Sequence, residues 1–145
     1  MTDIVNVFRS YASVKHIDLT YESNFRYLNV WLDKDKMDSI LKNIISNALK
    51  YTPEGGSVHV YAYETEDTWN VEVSDTGIGI PLDEQKKLFK MHFRGSNAIN
   101  SKVTGSGIGL LLVWKLVHMH KGKLNFTSTE GKGSCIKVSF PKGEK

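Results

Sequence analysis

The chain has 145 residues, 40% of them hydrophobic, which suits one globular domain with a sizeable core and leaves no room for a second. Its net charge of +3 would help an anionic ligand, yet the basic residues do not cluster as they do in a nucleic-acid binder. The longest nearly unbroken apolar run, Ile108 to Val117, is far shorter than the roughly 20 residues of a membrane span, and Met1 to Ser10 carries no leader pattern.

Taken in order, Ile4, Val5, Phe8, Tyr11 and Ala12 fall at helical spacing and predict a short first helix. Alternation predicts strands at Ile17 to Tyr21 and Leu28 to Leu32, separated by the polar turn Glu22 to Arg26. The stretch Asp33 to Thr52 reads as one amphipathic helix, capped by Asp33 or Asp35 and stopped by Pro53, Gly55 and Gly56. Met37, Ile40, Leu41, Ile44, Ile45, Ala48 and Leu49 form its apolar face. Asn43, Asn47 and Lys50 form a second stripe at spacings of four and three. Two carboxamides and an ammonium in a row can offer amide oxygens to a hard cation and positive charge to a polyphosphate. A solvated helix face is the alternative reading of the same three residues.

Val58 to Tyr63 and Trp69 to Ser74 predict an antiparallel hairpin that runs directly into Asp75-Thr-Gly-Ile-Gly-Ile-Pro81. Glycines at alternate positions let a backbone approach a flat ligand, and an aspartate at a strand end can accept from an exocyclic amine. After Pro81 a short helical segment ends in Phe89 and Phe93, one turn apart, and Arg94. Gly95 to Thr104 is small, polar and unpatterned, as mobile loops are. The cluster Gly105-Ser-Gly-Ile-Gly-Leu110 opens an apolar helix to His120, ended by Gly122, and free amides at such a start suit phosphate oxygens. Two strands, Lys123 to Ser128 and Ser134 to Phe140, complete the pattern, with Cys135 read as a core thiol. A single cysteine permits no internal disulfide and fits a reducing compartment. His16, His59, His92, His118 and His120 form no zinc pattern or triad and read as structural.

The order of these motifs resembles the catalytic ATP-binding domain of sensor histidine kinases, in the wider ATPase family that includes gyrase, Hsp90 and MutL. NIISNALKYTPEGG is similar to the family's N box, DTGIGIP to its first glycine box, LFKMHFRG to its F box and GSGIGL to its second glycine box. The resemblance implies an α+β fold, a two-layer sandwich with helices on one face of a mixed, mostly antiparallel sheet. It implies ATP and Mg²⁺ as cofactors. Asn47 would bind the metal, Asn43 would support the phosphate and water network, Lys50 would meet phosphate and Tyr51 would pack near the nucleoside. Asp75 would accept from the adenine amine, with Gly77, Gly79 and Ile80 beside the base and Ser134 near it. Gly105, Ser106, Gly107, Gly109 and Leu110 would shape the phosphate end, Arg94 would contact phosphate, and Phe89 and Phe93 would anchor a lid.

The hydrolysing relatives place a glutamate base where this chain has Asn43, so the resemblance implies transfer to a nucleophile rather than hydrolysis. The implied nucleophile is a histidine on a separate dimerisation domain, with residues 1–14 read as the end of a linker from it. A response regulator receiver, a homodimeric parent and the cytoplasmic portion of a membrane-bound bacterial sensor follow from the same resemblance. A serine kinase of the anti-sigma type and a docking module that senses ATP without transferring it are the competing readings.

Overall fold

A computed structural model describes residues 2–25, 33–81 and 108–142. In chain order the elements are α1 (Thr2–Val14), β1 (Asp18–Ser23), α2 (Lys34–Lys50), β2 (Ser57–Glu64), β3 (Thr68–Asp75), α3 (Ile108–Met119), β4 (Lys123–Thr129) and β5 (Gly133–Pro141). The strands form one sheet in the order β1-β2-β3-β5-β4. Among the described strands only β1 and β2 run parallel, and the remaining neighbours are antiparallel. This is the expected mixed, mostly antiparallel α+β sandwich. The expected strand at Leu28 to Leu32, the segment with Phe89, His92, Phe93 and Arg94, the loop Gly95 to Thr104, and Gly105, Ser106 and Gly107 lie outside the described residues.

Helix α2 forms where its sequence dictates. The Asp33 side chain accepts from the Lys36 amide at 3.2 Å, which selects Asp33 over Asp35 as the cap. Met37, Ile40, Leu41, Ile44, Ile45, Ala48 and Leu49 are all buried, each large one contributing about 2 kcal/mol of hydrophobic stabilisation. This face packs against α1, α3 and strands β2 and β3. Helix α1 adds Ile4, Val5 and Ala12 to the same core. At its far end, Lys15 reaches back to donate to the Leu49 and Lys50 carbonyls at 2.8 and 3.0 Å, closing the C-terminus of α2 with a cation where the helix dipole favours one. Lys15→Met is therefore expected to cost about 1 kcal/mol, a fall of about 2–4 °C in Tm by calorimetry. An unchanged Tm would show that the cap contributes nothing.

The α1 and α3 termini correct one sequence expectation. Both helices end on a left-handed residue that is not glycine, His16 (φ 59°) and Lys121 (φ 57°). Ile17 and Gly122 then donate back to Ala12 and Val117, the six-to-one bond of a Schellman ending. Gly122 follows the stop rather than making it; a Cβ there would stand 2.8 Å from the Phe140 ring and from the Ser139 carbonyl. Cys135 is also corrected. It is half-buried on the sheet face away from the helices, with Ser74 Oγ 3.3 Å from its Sγ, because its neighbours Ser134 and Ile136 take the helix-side positions.

Candidate functional site

The helix-side face of the sheet is built in rungs, each a set of directly opposed side chains. Leu124, Val138, Val71 and Ala62 form one rung, and Phe126, Ile136, Val73 and Val60 the next. The following rung turns polar: Ser128, Ser134 and Asp75 stand opposite one another on β4, β5 and β3, with Val58 and Leu19 beyond. Three polar groups at the end of an otherwise apolar face mark a place where something polar is met.

Asp75 is held by one oxygen. Its Oδ1 accepts from the Gly77 amide at 2.8 Å and the Ser134 amide at 3.2 Å. Its Oδ2 is engaged by no described residue. Burial pushes the carboxyl above its ordinary range, and the two amide hydrogen bonds pull it part of the way back. Ser134 Oγ lies 2.8 Å from Ser128 Oγ.

The loop after β3 ties this rung to the end of α2. Ile78 donates to the Tyr51 carbonyl at 3.0 Å, Gly131 to the Ile78 carbonyl at 2.7 Å, and Ile80 to Ser128 Oγ at 2.8 Å. Gly77 has to be glycine for this fit, since a Cβ would stand 2.4 Å from the Tyr51 carbonyl oxygen and 2.8 Å from Asp75 Oδ1. Gly79, at φ 67°, would drive a Cβ to 2.1 Å from the Thr129 carbonyl oxygen. Both glycines therefore serve the loop's approach to the protein itself, beyond any approach to a ligand.

On α2, Asn43, Asn47, Lys50 and Tyr51 are half-buried. Asn43 Nδ2 donates to the Ser39 carbonyl at 2.7 Å, and no described residue donates to its amide oxygen. An open groove of about 380 Å³ runs past Asn43, lined also by Asp35, Asp38, Ser39 and Lys42. Asn47 lies one turn before Tyr51, whose amide donates to the Asn47 carbonyl at 3.0 Å. The carboxamide stripe thus leads straight to the junction with Asp75. Gly109 and Leu110 fall in the first turn of α3. Sequence reasoning missed Ser128, which the register across the turn Glu130 to Gly133 would have placed opposite Ser134.

The four described histidines make only local contacts. His118 and His120 each bond a carbonyl of their own helix through Nδ1, His59 pairs with Thr20 at 2.6 Å, and His16 is exposed beside Glu54. Among the described residues no group of three His, Cys, Asp or Glu could hold a metal, and no helix is long and apolar enough to cross a membrane.

Residues 32–144 match the family described as histidine kinase-, DNA gyrase B-, and HSP90-like ATPase. The chain belongs to this family. Among curated members it is 39% identical over 129 residues to the sensor histidine kinase WalK of Bacillus subtilis, across 88% of this chain and 21% of WalK. It is 40% identical to the adaptive-response sensory kinase SasA of Thermosynechococcus vestitus, across 77% of this chain and 29% of SasA. The chain thus spans under a third of either relative. The catalytic domain of the histidine kinase ThkA superposes with a TM-score of 0.83 at 24% identity, covering 97% of this chain and 90% of that one, which establishes the ATPase family's fold here. Family membership implies ATP as the ligand and agrees with the motif order NxxxN, DxGxG, FxxxF, GxGxG in the sequence.

Proposed function

We propose that this chain is the ATP-binding catalytic module of a sensor histidine kinase, and that it transfers the γ-phosphate to a histidine on a separate helical domain. The observation that carries this reading is the junction of two sets of groups: the Asn43, Asn47 and Lys50 stripe ends at Tyr51, and Tyr51 is bonded to the loop that holds Asp75.

Asp75 accepts from the adenine amine through Oδ2, with Ser134 beside it and Gly77, Gly79 and Ile80 forming the wall of the base site. Tyr51 packs at the nucleoside. Lys50 meets the phosphates as a point charge, and Asn43 orders water and phosphate oxygens. Arg94, Gly105, Ser106, Gly107, Gly109 and Leu110 complete the phosphate end in this reading, and Phe89 and Phe93 anchor the lid. The amide oxygens of Asn47 and Asn43, one turn apart on α2, are the donor type a hard divalent cation takes, so Asn47 would hold Mg²⁺, which supplies charge neutralisation on the phosphates.

Asn43 decides the reaction type. A carboxamide cannot take a proton from water, so this site is built to position rather than to hydrolyse. An imidazole nitrogen from the partner domain attacks the γ-phosphorus, its bond to the β-phosphate oxygen breaks, and ADP leaves. Residues 1–145 act as one module, within a homodimeric, cytoplasmically facing sensor that passes the phosphate to a response regulator.

The test is radiolabelled Mg-ATP with this chain and a histidine-bearing dimerisation domain added in trans. An acid-labile, base-stable phosphoprotein should appear on the partner alone, with negligible hydrolysis by the isolated chain. Fast steady hydrolysis without a partner would point to a gyrase-like ATPase. Acid-stable phosphoserine would point to the anti-sigma type kinase, and binding without any transfer to an ATP-sensing module.

A further inference from the structure

The C-terminal turn of α2 leads into Tyr51, and its last carbonyls are accounted for one by one. Asn47 accepts from the Tyr51 amide at 3.0 Å and Ala48 from Thr52 Oγ1 at 2.6 Å. The Leu49 carbonyl would ordinarily be closed by the amide four residues on, but that residue is Pro53 and has no N–H. Lys15 fills the gap: its Nζ donates to the Leu49 carbonyl at 2.8 Å and to the Lys50 carbonyl at 3.0 Å. Among the described residues this ammonium pairs with no carboxylate, so the two carbonyls are what holds it. The backbone around it is tied to the same loop, with Gly55 donating to the His16 carbonyl at 2.9 Å and Asp18 to the Gly56 carbonyl at 3.0 Å.

We propose that Lys15 is a positioning residue of the nucleotide site, which holds Tyr51 and the loop after Asp75 in place from outside the site. This deepens the ATP reading and rests on it. Successive peptide units meet at Tyr51. The unit joining Lys50 to Tyr51 has its carbonyl on Lys15 and its N–H on Asn47, and the unit joining Tyr51 to Thr52 has its carbonyl on the Ile78 amide at 3.0 Å. A peptide unit is rigid and planar, so once Lys15 fixes the first, the direction of the Tyr51 carbonyl depends on the φ of −94° and ψ of 4° at Tyr51 alone. The loop leaves that carbonyl little room, since a Cβ on Gly77 would stand 2.4 Å from it. A shift of Tyr51 therefore moves Gly77, and with it the amide that Asp75 Oδ1 accepts from.

The same variants are measured without ligand and with it. In ligand-free Lys15→Met, hydrogen exchange at the Tyr51 and Ile78 amides should be about tenfold faster, relative to the sheet amides of Val60 and Val138. Calorimetric affinities for Mg-ATP and for adenosine should both fall about tenfold at a temperature where the variant is folded. Lys15→Arg, which keeps the charge and several donors, should restore most of both. Lys15→Gln, neutral and shorter, should show the same losses if the methionine variant does not fold. Val71→Ala, a core truncation away from the site, should lower Tm at least as much as Lys15→Met yet leave both affinities as in the wild type. Unchanged exchange, or faster exchange with unchanged affinity, would overturn the proposal and leave Lys15 as a helix cap. A loss for Mg-ATP with adenosine unaffected would overturn it too, because the ammonium would then act on phosphate by its charge. A wild type that binds neither ligand would instead overturn the ATP reading on which the proposal rests.

Discussion

Asp75→Asn is expected to lower ATP affinity by about a hundredfold or more while the protein stays folded. The substitution is nearly isosteric, and the new Oδ1 can still accept from Gly77 and Ser134. The other end of the side chain changes from an acceptor into an N–H donor, which then faces the adenine amine donor to donor. Stability should move the opposite way. Burial raises the Asp75 carboxyl above its ordinary range, so the folded state holds that proton more tightly than the unfolded chain does. Stability from this group is therefore present below the ordinary value and is lost as pH rises through the raised one. At neutral pH the buried charge is a cost, and the asparagine variant should melt no lower than the wild type. ATP affinity of the wild type should fall as pH drops through the same raised value, because a protonated carboxyl presents a proton to the amine. Calorimetry and thermal melts decide both parts. Retained ATP affinity in Asp75→Asn would remove the adenine assignment.

Asn47→Ala should reduce Mg-ATP affinity by about a hundredfold yet leave adenosine binding nearly unchanged, since the amide oxygen is assigned to the metal and the base lies elsewhere. The two ligands separate a metal role from general damage to α2. The substitution is mild for the helix, because Asn47 is half-buried, off the apolar face, and alanine is the better helix former. Equal affinity for Mg-ATP in both proteins would leave Asn47 as a solvated helix residue.

The legible parts of this chain were those set by local periodicity. Seven apolar positions at helical spacing specify α2 and its buried face, and alternation bounded by polar turns specifies the β2–β3 hairpin. Asp75 was visible because a strand ends on it just before the glycines. The rest depends on contacts between distant segments. Nothing near Asp18 to Ser23 encodes a parallel pairing with β2, thirty-odd residues on, because parallel partners are chosen by what covers the sheet. Cys135 and Ser134 show how one residue of phase exchanges core face and outer face, a choice that an alternating strand leaves open. Ser128 carries no signal in isolation, being a serine in a polar strand end. Its place opposite Ser134 follows only once the β4–β5 register is known. The glycine run after Asp75 reads as ligand approach, whereas Gly77 and Gly79 are demanded first by Tyr51, Asp75 and Thr129.

The central claim is that nucleotide lies between the carboxamide stripe of α2 and the polar rung of the sheet. The most direct measurement is an amide NMR titration of this chain with Mg²⁺ and a non-hydrolysable ATP analogue. The expected result is a concerted set of shifts at Asn43, Asn47, Tyr51, Asp75, Gly77 and Ser134, with little change across the opposite face of the sheet at His59, Tyr61, Tyr63 and Lys137. Shifts confined to that opposite face, or a saturable shift that leaves Asp75, Gly77 and Asn47 unmoved, would contradict it.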